Sequence, residues 1–170
     1  MALVLNEEQG MLRDSAQAFL SDSAPVAHLR KLRDSRSDDG FDRALWAKFA
    51  ELGFSGVLIP EAHGGIGLGV VEAGVIAEQL GHTLTPSPFL STAVLSARAL
   101  VKAGSEAQQA KLLPAIAASE TVIGFAVDEH SKHRPSVVGT TAARDGDGWR
   151  IDGAKTFVLD GHVADSLIVV

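Results

Sequence analysis

From residue 6 to about residue 119 the apolar residues recur at the 3.6-residue spacing of amphipathic helices, and from about Thr121 that spacing stops. This switch constrains the fold more than any single motif, because a helix-period pattern does not settle as a strand, nor the reverse. The chain therefore reads as α+β: an all-helical N-terminal domain, residues 1–119, followed by an incomplete antiparallel β-domain, residues 120–170.

The helical part divides at its own punctuation. Asn6 is placed to cap a helix starting at Glu7, with Gln9 completing a capping box and two acids in the first turn. Leu5, Met11, Leu12, Ala16, Phe19 and Leu20 then fall on one face, and Pro25 breaks the pattern. Val26 to Leu32 reads as a short helix. Another spans about Phe41 to Leu52, with Leu45, Trp46, Phe49 and Ala50 on one stripe and Gly53 ending it. Val70 to Leu80 repeats the pattern, with Gly81 as its expected cap. Phe89 to Ala103 reads as a buried helix, and Ser105 caps a last one through Gln108, with Pro114 in or near its final turns.

Beyond residue 120, TVIGFAV is fit for a strand, and TTAARDGDGWRIDG for two strands joined at DGDG. KTFVL and SLIVV are further strand candidates. LIVV is core-strand material standing at the end of the sequence, and so few strands have little to pack against. The expectation is the first part of something longer, or a surface completed by a partner.

Composition narrows the function classes. The 170 residues are 46% hydrophobic and 21% charged, with a net charge of -6 and no cysteine. Disulfides, thiolate nucleophiles and Cys-type zinc sites are excluded. Nucleic acid and anionic membranes call for clustered Lys and Arg. The one mixed cluster, HLRKLRDSRSDD, carries acids among its bases and reads as a solvated helix-to-loop segment. No run approaches the roughly 18 apolar residues of a membrane span. The N-terminus MALVLNEEQ has no secretory pattern, so a soluble cytoplasmic protein is expected.

The stretch GFSGVLIPEAHGGIGLGVVE, Gly53 to Glu72, raises the question of a phosphate-binding loop. A dinucleotide fingerprint needs G-x-G-x-x-G within a βαβ unit, and here Gly65, Gly67 and Gly69 are evenly spaced with no alternation of strand and helix around them. No Gly-Lys-Ser/Thr follows. The glycines read instead as a close-packed turn between helices.

LGFSGVLIPEAHGGIGLGVVEAGVIAEQLG resembles the acyl-CoA dehydrogenase family, with Pro60, Glu61, Gly64, Gly65 and Gly67 in the positions of its P-E-x-x-G-G-x-G loop. GSEAQQAKLLPAIAASETVIGFAV is similar to the family's passage from helical to middle domain. In GDGWRIDGAKTFVLDGHVADSLIVV, Trp149, Gly153, Lys155 and Gly161 match a further motif. The resemblance covers the whole chain in order. It implies FAD-dependent α,β-dehydrogenation of an acyl-CoA by a homo- or hetero-oligomer that passes electrons to an acceptor. It also implies that the catalytic carboxylate lies in a C-terminal domain, so no catalytic residue is nominated here.

Under that resemblance the flavin side falls on Phe125, Val127, Asp128, Phe157 and Leu159, and Arg134 lies near the path of the thioester end or the CoA. Phe125, Val127 and Glu129 fit the family's T-E-P-x-x-G-S-D segment. Asp128 stands for its threonine, His130 for its proline and Arg134 for its serine. Phe157-Val158-Leu159 replaces W-I-T. Two hydroxyl donors are thus lost, and an ionised Asp128 donates none. Three readings stay open: FAD held through backbone and a changed side-chain set, a subunit that has given up flavin and pairs with a competent partner, or a variable loop aligned too literally. Asp128, Glu129, His130 and His133 form no known metal pattern, being interrupted by Lys132 and Arg134. His63 and His82 read as loop and cap residues.

Overall fold

A computed structural model describes residues 4–170. Met1–Leu3, part of the N-terminal stretch read above for a secretory signal, lie outside the described residues. Helix α1 (Glu7–Ser23) opens with the expected box: Gln9 N–H donates to Asn6 Oδ1 at 2.8 Å and Asn6 N–H to Gln9 Oε1 at 3.1 Å. α2 (Val26–Asp34) follows Pro25. α3 (Arg43–Glu51) starts two residues later than expected, because the Asp42 carboxylate accepts from Ala44 N and Leu45 N and so sets the cap. No described helix is long and apolar enough to cross a membrane.

Trp46 and Phe49 of α3 form an aromatic cluster with Phe19 of α1 and with Phe54, ring centroids 5.3 to 6.3 Å apart, and Leu45 is buried on the same helix. The apolar run Phe54–Ile59 is a chain of tight turns rather than a strand. Phe54, Val57 and Ile59 are buried to 1% or less, and their amides bond to residues three or five positions back.

α4 (Val70–Thr83) runs through Gly81, which is not its cap. Thr85 N–H bonds the Leu80 carbonyl at 2.9 Å and closes the end around Leu84, whose φ is 53°. Phe89–Ser96 winds as a π-helical stretch instead of α-helix, and α5 (Ala97–Ala103) continues it. α6 (Glu106–Ala117) carries the predicted Ser105–Gln108 box, with Pro114 inside it.

The β-structure differs from expectation at two points. Antiparallel pairing holds for β2 (Thr141–Asp145) and β3 (Gly148–Asp152), joined by Gly146-Asp147 with Gly146 at φ 59°. β1 (Ile123–Ala126) and β4 (Ser166–Val169), however, run parallel, Ile123 opposite Ser166 and Ala126 opposite Val169. Residues 127–165 supply the long crossover that parallel strands require. KTFVL is no strand: Phe157 and Asp160 sit at φ 53° and 54° and fold it into a turn. β1 belongs to the core, with Val122, Ile123 and Ala126 each 1% exposed, whereas β2 and β3 are exposed along their length.

Candidate functional site

β1 is stitched into the helical layer by hydroxyls. Thr92 Oγ1 accepts from Ile123 N–H at 3.0 Å, and Ser96 Oγ donates to Ile123 O at 2.8 Å. Thr92 and Ser96 are fully buried, so the strand edge that β4 leaves open is paired without water. Phe125, half-buried on β1, borders two cavities. One of about 460 Å³ lies between Leu100, Leu112 and β4, and one of about 300 Å³ is lined by Leu58, Val94, Leu95 and Arg98.

Past Ala126 the chain leaves the core and is caught by residues 153–161. Lys155 Nζ donates to Val127 O at 3.1 Å and to Glu129 Oε1 at 2.8 Å, with the two charged side chains 8% and 11% exposed. Glu129 also accepts from Gly139 N, Thr140 N and Thr140 Oγ1. Four donor contacts, Lys155 first, hold its carboxyl far below the usual carboxylate range. Thr156 N–H reaches Asp128 O at 2.7 Å. A Cβ added at Gly124 would stand 3.4 Å from both Leu159 O and Val158 Cγ1, so the bare glycine lets this turn lie on β1.

The structure thus gathers most of the predicted residues. Phe125, Val127 and Asp128 lie along one stretch, and the turn bearing Phe157 and Leu159 rests against it. Phe157 is 76% exposed. Asp128 is occupied: His133 Nδ1 lies 2.9 and 3.1 Å from its oxygens, and Arg134 N–H donates at 3.1 Å. The His133 hydrogen bond, then the Arg134 amide, lower the Asp128 pKa, so the carboxylate accepts and Nδ1–H donates. Arg134 joins the group only through its main chain, its side chain being exposed. The Glu129–Lys155 pair was not anticipated, although both positions matched family motifs. Nor were Thr92 and Ser96, which sat in an apparently plain apolar helix.

The glycine loop is not an anion cradle. Gly65, Ile66, Gly67 and Leu68 N–H donate to Pro60, Gly56, Ile59 and Val57 carbonyls, and Gly69 N–H to Glu72 Oε2. A Cβ at Gly65 would overlap the Ile59 carbonyl. The loop's donors are spent on its own close packing.

Comparison with known proteins follows the same lines. The family described as "Acyl-CoA dehydrogenase, N-terminal domain" matches residues 6–120, more than half of the chain. Acyl-CoA dehydrogenase FadE27 of Mycobacterium tuberculosis is 36% identical over 143 residues, covering 84% of this chain and 36% of the relative. Among solved structures, the ChsE4-ChsE5 complex from Mycobacterium tuberculosis superposes with a TM-score of 0.85 at 30% identity, over 99% of this chain and 45% of that one. A variant of the Tcur3481-Tcur3483 steroid ACAD gives 0.84 at 33% identity, over 96% and 44%. The chain spans less than half the length of these proteins. It belongs to the acyl-CoA dehydrogenase family.

Proposed function

We propose that this chain is the helical N-terminal domain (residues 1–119) and the start of the middle β-domain (residues 120–170) of an FAD-dependent acyl-CoA dehydrogenase. The complete protein or assembly would carry out α,β-dehydrogenation of an acyl-CoA thioester. One observation carries the reading: the turn 156–161 lies on the exit of β1, and the N–H groups of Val127, Asp128, Phe157, Val158 and Leu159 donate to no acceptor among the described residues. Unclaimed main-chain donors beside apolar Phe125, Val127, Phe157 and Leu159 fit an isoalloxazine ring, whose pyrimidine edge is rich in acceptors and whose faces are apolar.

FAD, when bound, supplies the redox chemistry by taking the hydride from the substrate β-carbon. This chain's part is to bind and orient. Val127, Asp128 and Leu159 would hold the ring edge through N–H groups. Phe125, Phe157 and the Val127 and Leu159 side chains would shield it from water. The Asp128 carboxylate, turned to His133 and Arg134 N–H, makes no donor contact. Arg134 is an exposed cation on the same loop and is suited to an anionic CoA phosphate. The proton acceptor for the α-carbon is not nominated in this chain. The oligomer would act in the cytoplasm and pass its electrons to an electron-transfer acceptor.

A second reading is favoured by one feature. Both hydroxyl positions are lost, and Asp128 is committed to its own loop. That would suit a flavin-deficient subunit of a heteromeric dehydrogenase, acting through oligomer contacts. Anaerobic titration of the purified assembly with acyl-CoA thioesters separates the two. Bleaching of a flavin band near ~450 nm supports the first reading. If the flavin that bleaches is found only on a partner chain, the second stands.

A further inference from the structure

The turn Thr156–Gly161 carries Phe157 and Leu159 outward, yet it has few bonds of its own. Within it only Gly161 N–H to Val158 O, at 3.2 Å, closes the turn. Two non-glycine residues three positions apart, Phe157 and Asp160, hold left-handed backbone, which L side chains seldom adopt without outside support. The conformation must be imposed from elsewhere. One imposing contact stands at the turn's start, Thr156 N–H on Asp128 O. Gly124 supplies a floor under Val158 and Leu159. The third is a long-range bond at its end: Ser91 Oγ donates to Asp160 Oδ2 at 2.5 Å, across 69 residues of sequence.

Ser91 is wholly buried in the first turn of the π-helical stretch. Its hydroxyl has one proton and three acceptors in reach, Asp160 at 2.5 Å, the local Pro88 carbonyl at 3.2 Å and Thr92 Oγ1 at 3.5 Å. The helix does not need Asp160 to satisfy Ser91, whereas the turn has no other side-chain hydrogen bond to the helical layer among the described residues. The bond therefore serves the turn. We infer that Ser91 and Asp160 are a positioning pair through which the helical layer sets the conformation of the turn 156–161, and with it the presentation of Phe157 and Leu159 to the flavin. The functional half of this inference rests on the flavin reading above; the conformational half does not.

The pair is tested in the purified native assembly with Ser91→Ala, Asp160→Ala and Asp160→Asn. Asn keeps a carbonyl acceptor and tolerates the left-handed region, so it is the conservative control. Two readouts are taken: hydrogen exchange of the 157–161 amides, and the Kd for added FAD by flavin fluorescence. Ser91→Ala and Asp160→Ala are expected to speed exchange in the turn about tenfold or more while α1 and α3 exchange as in the wild type. FAD binding should weaken about tenfold or more in both, and Asp160→Asn should stay within about twofold of wild type. Unchanged exchange in the turn with Ser91→Ala overturns the inference, and so does faster exchange spread evenly over the whole chain. Local loosening with unaltered FAD affinity overturns its functional half. A wild type that takes up no FAD, with the same local loosening, retains the clasp and overturns the flavin reading alone.

Discussion

A methyl group at Gly65 would drive into the Ile59 carbonyl oxygen, and neither segment can retreat without breaking Gly67 N–H to Ile59 O or Ile66 N–H to Gly56 O. Gly65→Ala is expected to destabilise the protein by about 3 kcal/mol in urea unfolding; a change below about 0.5 kcal/mol would contradict this packing. Glu129 and Asp128 make the second prediction. Both carboxyl pKa values are lowered by folding, so their stabilisation is full above the ordinary carboxylate pKa, about 4, and is lost as pH falls through the folded values. Urea midpoints should hold between about pH 7 and 5 and fall below about 4.5, and Glu129→Gln should flatten that fall. Superimposable curves for variant and wild type would deny the pair its role. Single residues were legible where their signal is local, as with Asn6, Gln9, Ser105 and Gln108. Glu129 with Lys155, 26 positions apart, and Asp128 with His133 are matters of loop path, on which spacing is silent.

Helices were read from their period, and their ends moved where a neighbour outbid the local rule. Asp42 took the cap of α3, and Thr85 closed α4 around Leu84 rather than Gly81. The π-helical winding of Phe89–Ser96 leaves no mark in a pattern of apolar residues. Its meaning lies in Thr92 and Ser96, whose hydroxyls take the place of a missing neighbour strand beside Ile123. Thr92→Val combined with Ser96→Ala leaves the Ile123 N–H and C=O unpaired in a dry layer, at a cost of about 2 kcal/mol. Denaturant midpoints and amide exchange across β1 measure it, and a double variant within about 0.5 kcal/mol of wild type would show that the hydroxyls are dispensable. Parallel pairing of β1 with β4 was not legible, because both are plain apolar runs and only the intervening crossover decides their direction. For the same reason KTFVL, apolar enough for a strand, became a turn once Phe157 and Asp160 entered the left-handed region.

For the chain as a whole, the buried apolar residues form two clusters, with Ile123 of β1 in one and the adjoining Val122 in the other, and the hairpin of β2 and β3 lies exposed outside them. Trp149 and Ile151 are 60% and 56% exposed, and the Arg144 guanidinium lies 4.7 Å from the Trp149 ring centroid. The family was legible because its motifs run in order through the chain, and the fold and the relatives agree with it. Whether the altered edge still holds a flavin was not, since main-chain donors have no sequence signature. Flavin binding by this chain depends on those donors, and flavin content reads it: FAD released per chain by denaturation after gel filtration of the native assembly. Close to one FAD is expected for each copy of this chain. A defined assembly in which this chain carries none, with all flavin on its partner or no flavin at all, would rule out flavin binding by this chain.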